Sequence, residues 1–278
     1  MITKSLLPEG DYTAYITQTK ADGTTVVTEL TEGQWGTLGT YHVFSARIAA
    51  KEMVDQLKLE VKDAEGYVYN EAYSTSVRDY VGRALGASST TAKVKTMVVD
   101  MLNYGASAQV QFAYGLEDMA TATLTDAQKA LATAEATAEN KQVKGKNCFG
   151  SNLTLGDKIL LNVMFSGVKE ATWDDMYAIA TFEYYKDGKT VEVRIEGEEF
   201  EKHNSTTCKV VIDEIVLADA RQDVTVTLYN ADGTVHGTAV DSVESYVARA
   251  IANNADGNGL FTNILKFADS AYNYLMKK

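Results

Sequence analysis

Adjacent carboxylates are the residues in this chain whose types and spacing come closest to a catalytic pattern. Asp174 and Asp175 follow Trp173, and Glu198 and Glu199 form a second pair. Two carboxyl groups can supply the acid and the base, or the nucleophile, of glycoside hydrolysis. In a chain with 38 Asp and Glu residues against 26 Lys and Arg, however, adjacent carboxylates are expected as solubilising surface charge. We therefore predict no catalytic residues and a protein that is not an enzyme.

The residues that usually bind metals and nucleotides lack the spacing that such sites need. The three histidines, His42, His203 and His236, form no HxxxH or HExxH pattern, and the sequence has no CxxC motif. It also has no glycine-rich phosphate loop, and its Asp-Gly turns lack the ligand series of a calcium loop. We expect no metal and no cofactor. The sequence leaves open whether its two cysteines, Cys148 and Cys208, are bonded.

Aromatic residues are the better candidates for a site. Tyr67 and Tyr69 flank Val68 on a predicted strand, so their side chains share one face of it. Trp35 lies in a loop flanked by glycines. Because Tyr and Trp combine a rigid apolar ring with a polar group, they suit contacts with proteins and sugars. These rings either cap the edge of a core or bind a ligand, a protein at Tyr67 and Tyr69 or a sugar at Trp35.

The segments that position these residues occur twice in the chain. Residues 61–69 return as 228–236, and Ser76–Leu85 returns as Ser242–Ile251. The spacing between the two copies is far longer than a solenoid unit of roughly 20–50 residues. The repeat therefore predicts two copies of one whole domain.

The tyrosines are not part of what repeats. Thr234 and His236 stand at the positions of Tyr67 and Tyr69 in the second copy. The predicted fold therefore does not require aromatic residues there, and packing at the edge of a core and binding both stay open.

Each copy is predicted to begin with strands and to end with two helices. Leu57, Leu59 and Val61 alternate as the inward-facing residues of a strand do. Asp-Gly and Glu-Gly pairs supply tight turns between strands. One such hairpin covers 20–27, and its counterpart begins at Lys186.

The first predicted helix carries an apolar stripe with i, i+3, i+4, i+7 spacing. Its residues are Val77, Tyr80, Val81 and Ala84, and those of the second copy are Val243, Tyr246, Val247 and Ala250. In the second copy, Asp241 and Glu244 indicate a capping-box start. In the last helix of the first copy, Gly105 indicates a close approach to a packed surface, because glycine otherwise destabilises a helix.

Domain boundaries follow from the repeat. The first copy is predicted to span 1–119 and the second 147–278, joined by a helical connector over 120–146. A strong strand sequence at 155–165 opens the second copy, and its counterpart would fall before Met1. We therefore expect the first copy to lack its opening strand and the chain to come from a longer tandem array.

The connector contains one predicted helix. Thr125 and Gln128 form a capping box that opens an alanine-rich segment reaching about Thr137. Because this segment has few large apolar residues, we expect a semi-rigid spacer.

Composition limits the class of protein. The 278 residues are 45% hydrophobic, which is sufficient for two domains with their own cores. A net charge of −12 makes nucleic acid and anionic membrane surfaces improbable partners. The longest apolar runs are too short for membrane insertion, which needs about 18 residues.

One pair of helix sequences resembles a known group of proteins. Residues 102–109 read Leu-Asn-Tyr-Gly-Ala-Ser-Ala-Gln and follow a helix that begins Ser-Val-Arg-Asp-Tyr at 76–80. This pair is similar to a signature of large surface proteins from anaerobic gut commensal bacteria, and Leu-Gly-Asp-Lys-Ile at 155–159 also resembles that group. The second copy departs at 267–271, where only the spacing is kept. The resemblance implies a secreted, multidomain protein; some surface proteins of such bacteria bind antibody variable regions as superantigens, and others bind glycans.

These observations lead to one set of expectations. The fold is expected to be α+β, with two homologous domains, each an antiparallel sheet or small β-sandwich followed by two packed helices. The function is expected to be that of a non-enzymatic extracellular binding module, secreted or on the bacterial cell surface. The first partner we expect is a host protein such as antibody, bound through Tyr67 and Tyr69. The alternatives are a glycan bound at Trp35, a glycan-cleaving enzyme that uses the acidic pairs, and a passive spacer without a ligand.

Overall fold

The computed structural model describes residues 1–7, 9–69, 73–156, 158–185 and 187–276. These residues form a mixed α+β fold with four antiparallel sheets and five α-helices. Two residues of the sequence motifs lie outside the described part, Asp157 of the 155–159 segment and Lys186 of the second hairpin. Among the described helices, none has the length and apolar character needed to cross a bilayer.

The chain divides into two compact units. One contains Met1–Thr90 and Gly105–Gln128, and the other contains Thr91–Tyr104 and Lys129–Lys278. The division falls within a single helix, Ala92–Phe112. The domain limits predicted from the repeat remain a prediction.

The first unit contains two antiparallel sheets. Their strands are β1 (Ile2–Thr3), β2 (Thr13–Thr19), β3 (Thr25–Thr31), β4 (Gly36–Leu38), β5 (Tyr41–Val43), β6 (Gln56–Lys62) and β7 (Tyr73–Thr75). The strand order is β1-β5-β4 in one sheet and β3-β2-β6-β7 in the other. β2 pairs along its whole length with β3 on one side and with β6 on the other.

Alternation of side chains builds the core of this unit. Ala14 and Ile16 on β2 are buried, and Ala14 lies opposite the fully buried Val61 of β6. Alternate residues of a strand face opposite sides of the sheet, so one face of β2 is apolar. The predicted hairpin between β2 and β3 is confirmed: Gly23 has a φ of 81°, and its N–H donates to Lys20 O at 2.9 Å.

The first helix, α1 (Val77–Gly86), begins with a capping box. The N–H of Asp79 donates to Ser76 Oγ, and the N–H of Ser76 donates to Asp79 Oδ2, both at 3.0 Å. Its buried residues, Val81 and Leu85, are four positions apart. The predicted apolar stripe is wrong at Tyr80, which is 58% exposed, because that position is rotated by about 100° from the buried face.

Helix α2 (Ala92–Phe112) contains the glycine that was predicted to permit a close approach. A Cβ atom at Gly105 would lie 2.7 Å from Met53 Sδ, 3.1 Å from Ala50 O and 3.3 Å from Ala120 Cβ. The prediction is confirmed, because no larger residue fits without movement of a neighbour. One turn later, the buried Gln109 accepts a hydrogen bond from the N–H of Ala120 at 2.7 Å and fixes the loop after the helix.

The predicted connector helix is short. α3 spans Asp126–Lys129, and the predicted capping box is present, with reciprocal hydrogen bonds between Thr125 and Gln128. The predicted longer helix is wrong because a residue distant in the chain takes one of its backbone donors. The N–H and Oγ1 of Thr133 donate to the buried carboxylate of Asp100 at 2.9 and 2.6 Å, so this N–H is withdrawn from any helical ladder.

The second unit also contains two antiparallel sheets. Their strands are β8 (Val143–Lys144), β9 (Cys148–Leu155), β10 (Ile159–Ser166), β11 (Tyr177–Glu183), β12 (Thr190–Glu196), β13 (Glu201–Asn204), β14 (Thr207–Ile212), β15 (Val224–Tyr229) and β16 (Val235–Asp241). The orders are β13-β14-β10-β9 and β12-β11-β15-β16-β8. The two sheets meet where a Cβ atom at Gly237 would lie 2.8 Å from the ring of Phe165.

Two helices, α4 (Val243–Ala252) and α5 (Leu260–Met276), follow these sheets. The N-cap of α4 is Ser242, whose Oγ accepts the N–H of Ser245 at 3.0 Å. The predicted start at Asp241 is therefore wrong by one residue. Asp241 ends β16 instead, and its buried carboxylate pairs with Arg249 at 2.7 Å.

The two cysteines are free. Cys148 and Cys208 both lie opposite Phe165, on the strands that flank β10 on its two sides. Two strand spacings amount to about 10 Å, which exceeds the roughly 4.4–6.8 Å between Cα atoms in a disulfide. The register of the sheet therefore rules out a disulfide between Cys148 and Cys208, which the sequence had left open.

Candidate functional site

The hairpin that carries Tyr67 and Tyr69 is shorter than the sequence indicates. After β6 the chain turns back, and Val68 forms an isolated antiparallel bridge with Lys62. Gly66 closes the turn with a φ of 84°, a conformation that favours glycine. The predicted strand is thus a single bridge, yet the rings of Tyr67 and Tyr69 are in contact.

Asp63 holds this hairpin in one conformation. Its Oδ1 accepts the N–H groups of Glu65 and Tyr67 at 3.1 and 2.8 Å, and its Oδ2 accepts the hydroxyl of Tyr69 at 3.0 Å. Hydrogen bonds to a carboxylate are stronger than those between neutral groups. The bond to Asp63 also raises the pKa of Tyr69 to about 12, because a phenolate beside a carboxylate is disfavoured.

Three tyrosine rings contact one another beside Asp63. The ring centroids of Tyr67 and Tyr69 are 4.9 Å apart at 79°, and those of Tyr69 and Tyr12 are 5.1 Å apart at 83°. Edge-to-face pairs of this kind contribute roughly 0.5–1.5 kcal/mol beyond the burial of area. Tyr67 is 65% exposed, whereas Tyr12 and Tyr69 are half-buried. We refer to Tyr12, Tyr67 and Tyr69 as the tyrosine surface.

An open pocket of about 420 Å³ adjoins the tyrosine surface. Its lining residues are Asp11, Tyr12, Thr13, Tyr15, Thr31, Glu32, Asp63 and Ala64. The sheet brings them together because Thr13 at the start of β2 lies opposite Thr31 on β3 and Lys62 on β6. Carboxylates, hydroxyls and two rings in one pocket can accept hydrogen bonds from a polar ligand and cover its apolar face.

Lys62 places a positive charge beside Tyr15, one of the residues that line this pocket. Its Nζ lies 5.2 Å from the centroid of the Tyr15 ring and 3.6 Å from Glu60 Oε2. The charge of Lys62 is therefore already partnered by a ring and a carboxylate. Asp11 and Glu32 remain exposed at the pocket, so the pocket as a whole is acidic.

Trp35 is partly used for packing. Its ring contacts Phe44 at 5.0 Å and His42 at 6.1 Å between centroids. Together with Tyr12 it packs against a small core cluster, which consists of Ile2, Ala14 and Val61. The structure thus joins Tyr67 to Tyr69 by direct ring contact and connects Trp35 to the tyrosine surface only through this shared core.

The positions that correspond to Tyr67 and Tyr69 in the sequence repeat serve internal hydrogen bonds. Thr234 donates through its N–H and its Oγ1 to Asp232 Oδ1 at 3.0 and 2.6 Å. The Nε2 atom of His236 lies 2.9 Å from Ser166 O. These positions in the second unit therefore present no tyrosine surface.

The second unit has a different aromatic group on its sheet. The rings of Tyr177 and Tyr229 are stacked at 4.8 Å with an angle of 13°. The guanidinium carbon of Arg194 lies 3.7 Å from the centroid of Tyr177 and occupies its other face. Because Arg194 also pairs with Glu196, the ring of Tyr177 is engaged by contacts within the chain.

Two features of the site were not found from the sequence. Tyr12 lies far from Tyr67 in the chain, and only the pairing of β2 with β6 brings the two together. The role of Asp63 has a weak sequence signal, since an Asp three residues before a turn glycine often accepts backbone N–H groups.

The adjacent carboxylates of the sequence lie on the surface, and a different pair of carboxylates is buried. Asp174, Asp175, Glu198 and Glu199 are exposed. The close carboxylates are instead Glu52 and Asp55, whose oxygens accept the Nε2 group of Gln18 at 3.0 and 2.8 Å. Both are buried, and burial raises the pKa of Asp55. This cluster stabilises the loop before β6.

Within the described residues, no group of three or more His, Cys, Asp and Glu side chains has a geometry that could hold a metal ion. Comparison of the chain with protein-family models, with curated proteins and with solved structures found no match. The tyrosine surface and the pocket beside it are therefore the basis for any statement about function.

Proposed function

We propose that this chain is a non-enzymatic binding module that recognises a macromolecule through the tyrosine surface. The exposure of Tyr67 is the observation that carries this proposal. This residue is 65% exposed and lies on a hairpin that Asp63 orders. A tyrosine offers a large contact area and loses little conformational entropy on binding, and it is enriched at interface hot spots. Further tyrosines of the first unit are exposed, namely Tyr41, Tyr73 and Tyr80.

The partner that we propose first is a host protein, with an antibody variable region as the leading candidate. The tyrosine surface supports a protein partner, and the antibody is suggested by the resemblance of residues 76–80 and 102–109 to surface proteins of gut commensal bacteria. The same resemblance supports an extracellular location, secreted or on the bacterial surface. A net charge of −12 further favours a partner other than nucleic acid.

The test is binding of the purified chain to polyclonal immunoglobulin and to its separated Fab and Fc fragments. We expect capture of Fab, and at least a tenfold loss of affinity on replacing Tyr67 and Tyr69 together by Ala. Tyr272→Ala removes an exposed tyrosine from α5 and is the matched control. Unchanged affinity of the double variant, at an unchanged melting temperature, would exclude the tyrosine surface.

A glycan is the second candidate, and the pocket beside Tyr12 is the observation that favours it. A sugar can stack on a ring while its hydroxyls donate to carboxylates such as Glu32. A glycan array identifies a ligand. Loss of its binding in Glu32→Ala would place the glycan in the pocket, and loss in Trp35→Ala would place it at Trp35. Absence of binding to both antibody and glycans would favour a passive spacer.

We also propose that the two copies of the sequence repeat descend from one duplicated domain. The order β1-β5-β4 has a counterpart in β10-β14-β13, so that the two-residue β1 takes the place of the opening strand that the first copy was expected to lack. The order β3-β2-β6-β7 has a counterpart in β12-β11-β15-β16. In both cases two helices follow the last of these strands, α1 and α2 in one and α4 and α5 in the other. Shared strand order together with the sequence repeat supports common descent of the two.

A further inference from the structure

β3 forms an outer edge of the four-stranded sheet in the first unit. It pairs on one side with β2 in continuous register over seven residues. No other strand of the described chain pairs with its second side. Every residue of β3 except Leu30 is exposed, including Val26 at 45% and Val27 at 56%. An edge of this kind presents unpaired backbone N–H and C=O groups to another strand.

β3 lacks most of the features that usually prevent strand addition. Its sequence, Thr-Val-Val-Thr-Glu-Leu-Thr, contains one charged residue, Glu29, and no Lys, Arg or Pro, and its pairing with β2 contains no bulge. Charged residues, prolines and bulges are the common means by which proteins protect a sheet edge. A seven-residue edge with two exposed valines is therefore expected to pair with another strand.

The corresponding edge in the second unit is protected. β12 also has seven residues and also lies at the edge of its sheet. Three charged residues alternate along it, namely Glu192, Arg194 and Glu196. Because one chain contains both kinds of edge, the open edge of β3 is not a general property of this fold.

The sequence of β3 is complementary to itself in an antiparallel pair centred on Thr28. In that register Thr25 lies opposite Thr31, and Val26 lies opposite Leu30. Pairs of threonines and pairs of apolar residues directly opposite each other stabilise antiparallel strands. The two copies of Glu29 lie opposite Val27 and not opposite each other, so like charges are kept apart.

We propose that β3 pairs with the β3 strand of a second copy of this chain, and that a twofold axis passes through Thr28. The two four-stranded sheets then continue into one sheet of eight strands. Such an interface is self-complementary, as twofold symmetry requires. One strand pair covers much less than the roughly 1,200–2,000 Å² of a stable interface, so the dimer is weak and forms at high local concentration.

Cysteine cross-linking tests the register. Residues directly opposite in an antiparallel pair have Cα atoms about 4.5–5.5 Å apart, which a disulfide can span. We expect mild oxidation to link Thr28→Cys to its own copy. Thr25→Cys alone and Thr31→Cys alone should stay unlinked, because their own copies lie about 20 Å apart at 3.4 Å per residue. A mixture of these two variants should form a linked heterodimer.

The wild-type chain is the control for the native Cys148 and Cys208, which are present in every sample. Equal linkage at positions 25, 28 and 31 would show random collision and would overturn the proposal. Absence of linkage at Thr28 above the level of the wild-type chain would also overturn it.

Sedimentation equilibrium of the full chain, at concentrations up to about 1 mM, tests the surface independently. We expect a monomer–dimer equilibrium whose dissociation constant rises at least tenfold in Val27→Lys, because an edge lysine opposes strand addition. Thr190→Lys places the same charge on β12 and should change nothing. A monomer at all concentrations, or a dimer unaffected by Val27→Lys, would contradict the proposal.

Discussion

The hydroxyl of Tyr69 donates a 3.0 Å hydrogen bond to Asp63 Oδ2, while the other oxygen of the same carboxylate accepts two backbone N–H groups of the turn. One side chain thus fixes both the path of the hairpin and the position of a ring at the proposed binding surface. Because Tyr69 in turn contacts Tyr67 and Tyr12, the order of the whole tyrosine surface depends on Asp63.

Replacing Asp63 by Ala should destabilise the hairpin and lower the pKa of Tyr69 from about 12. Two backbone donors lose their acceptor, so we expect a loss of about 1–2 kcal/mol in the free energy of unfolding. Urea denaturation measures the loss, and an NMR titration of the tyrosine ring carbons measures the pKa. Asp22→Ala is the matched control, because the carboxylate of Asp22 binds Thr24 in another Asp-Gly turn. An unaltered titration of Tyr69 in Asp63→Ala would refute the role assigned to this bond.

Gly105→Ala should destabilise the protein although alanine is the better helix former. The added Cβ would meet Met53 Sδ at 2.7 Å and the backbone oxygen of Ala50 at 3.1 Å, and such overpacking destabilises by about 1–3 kcal/mol. Gly82→Ala is the matched control, because that glycine lies on α1 with open space around it. Gly82→Ala should therefore stabilise by up to about 1 kcal/mol. Thermal unfolding should show a lower melting temperature for Gly105→Ala and a higher one for Gly82→Ala than for the wild-type chain.

Asp219 should make stability depend on pH. Its Oδ1 accepts the N–H of Tyr185 at 2.7 Å, whereas Oδ2 is buried without a partner. Burial raises the pKa of Asp219 from 3.8 to about 6. The folded state therefore holds a proton that the unfolded state releases above about pH 4, so stability falls as the pH rises through this interval and is constant above it.

Asp219→Asn removes this titration. Because a tenfold difference in proton affinity is worth about 1.4 kcal/mol, the stability of the wild-type chain relative to the variant should fall by about 2–3 kcal/mol between pH 4 and pH 7. Urea denaturation at several pH values measures the difference. A difference that is constant with pH would mean that Asp219 is ionised in the folded state.

The cysteines should behave as two thiols of unequal reactivity. Cys208 is buried, and burial raises its pKa to about 11, so it should react with a thiol reagent only on unfolding. Cys148 is half-buried and should react slowly in the folded state. Two thiols should titrate in denaturant without a reductant, and a reductant should leave the melting temperature unchanged. A reductant-dependent melting temperature would require a bond that the register of β10 forbids.

Local signals in the sequence predicted the turns and helix starts well. The reason is that turn and cap geometry depends on a few neighbouring residues, as the positive φ of Gly23 and Gly66 and the capping box of Thr125 and Gln128 illustrate, although the predicted start of α4 at Asp241 is wrong by one residue. The predicted close approach at Gly105 is correct for the same kind of reason, since only a constraint on space explains glycine inside a helix.

Signals that depend on distant partners were missed. The end of α3 is set by Asp100, which takes the N–H of Thr133 although the alanine-rich sequence favours a longer helix. At the site, the sequence pointed to Tyr67 and Tyr69 but gave no indication of Tyr12, because contact between them requires the pairing of β2 with β6. Side-chain contacts between strands far apart in the chain are not encoded in any local pattern.

The hairpin ordered by Asp63 has a kinetic consequence. A recognition loop that must fold on its partner associates slowly, because only a fraction of encounters finds the competent conformation. On the proposed function, the hydrogen bonds of Asp63 hold the hairpin in its binding conformation before a partner arrives. The association rate should then be limited by diffusion and orientation. Variants with another residue in place of Tyr67 should differ chiefly in the dissociation rate of the complex.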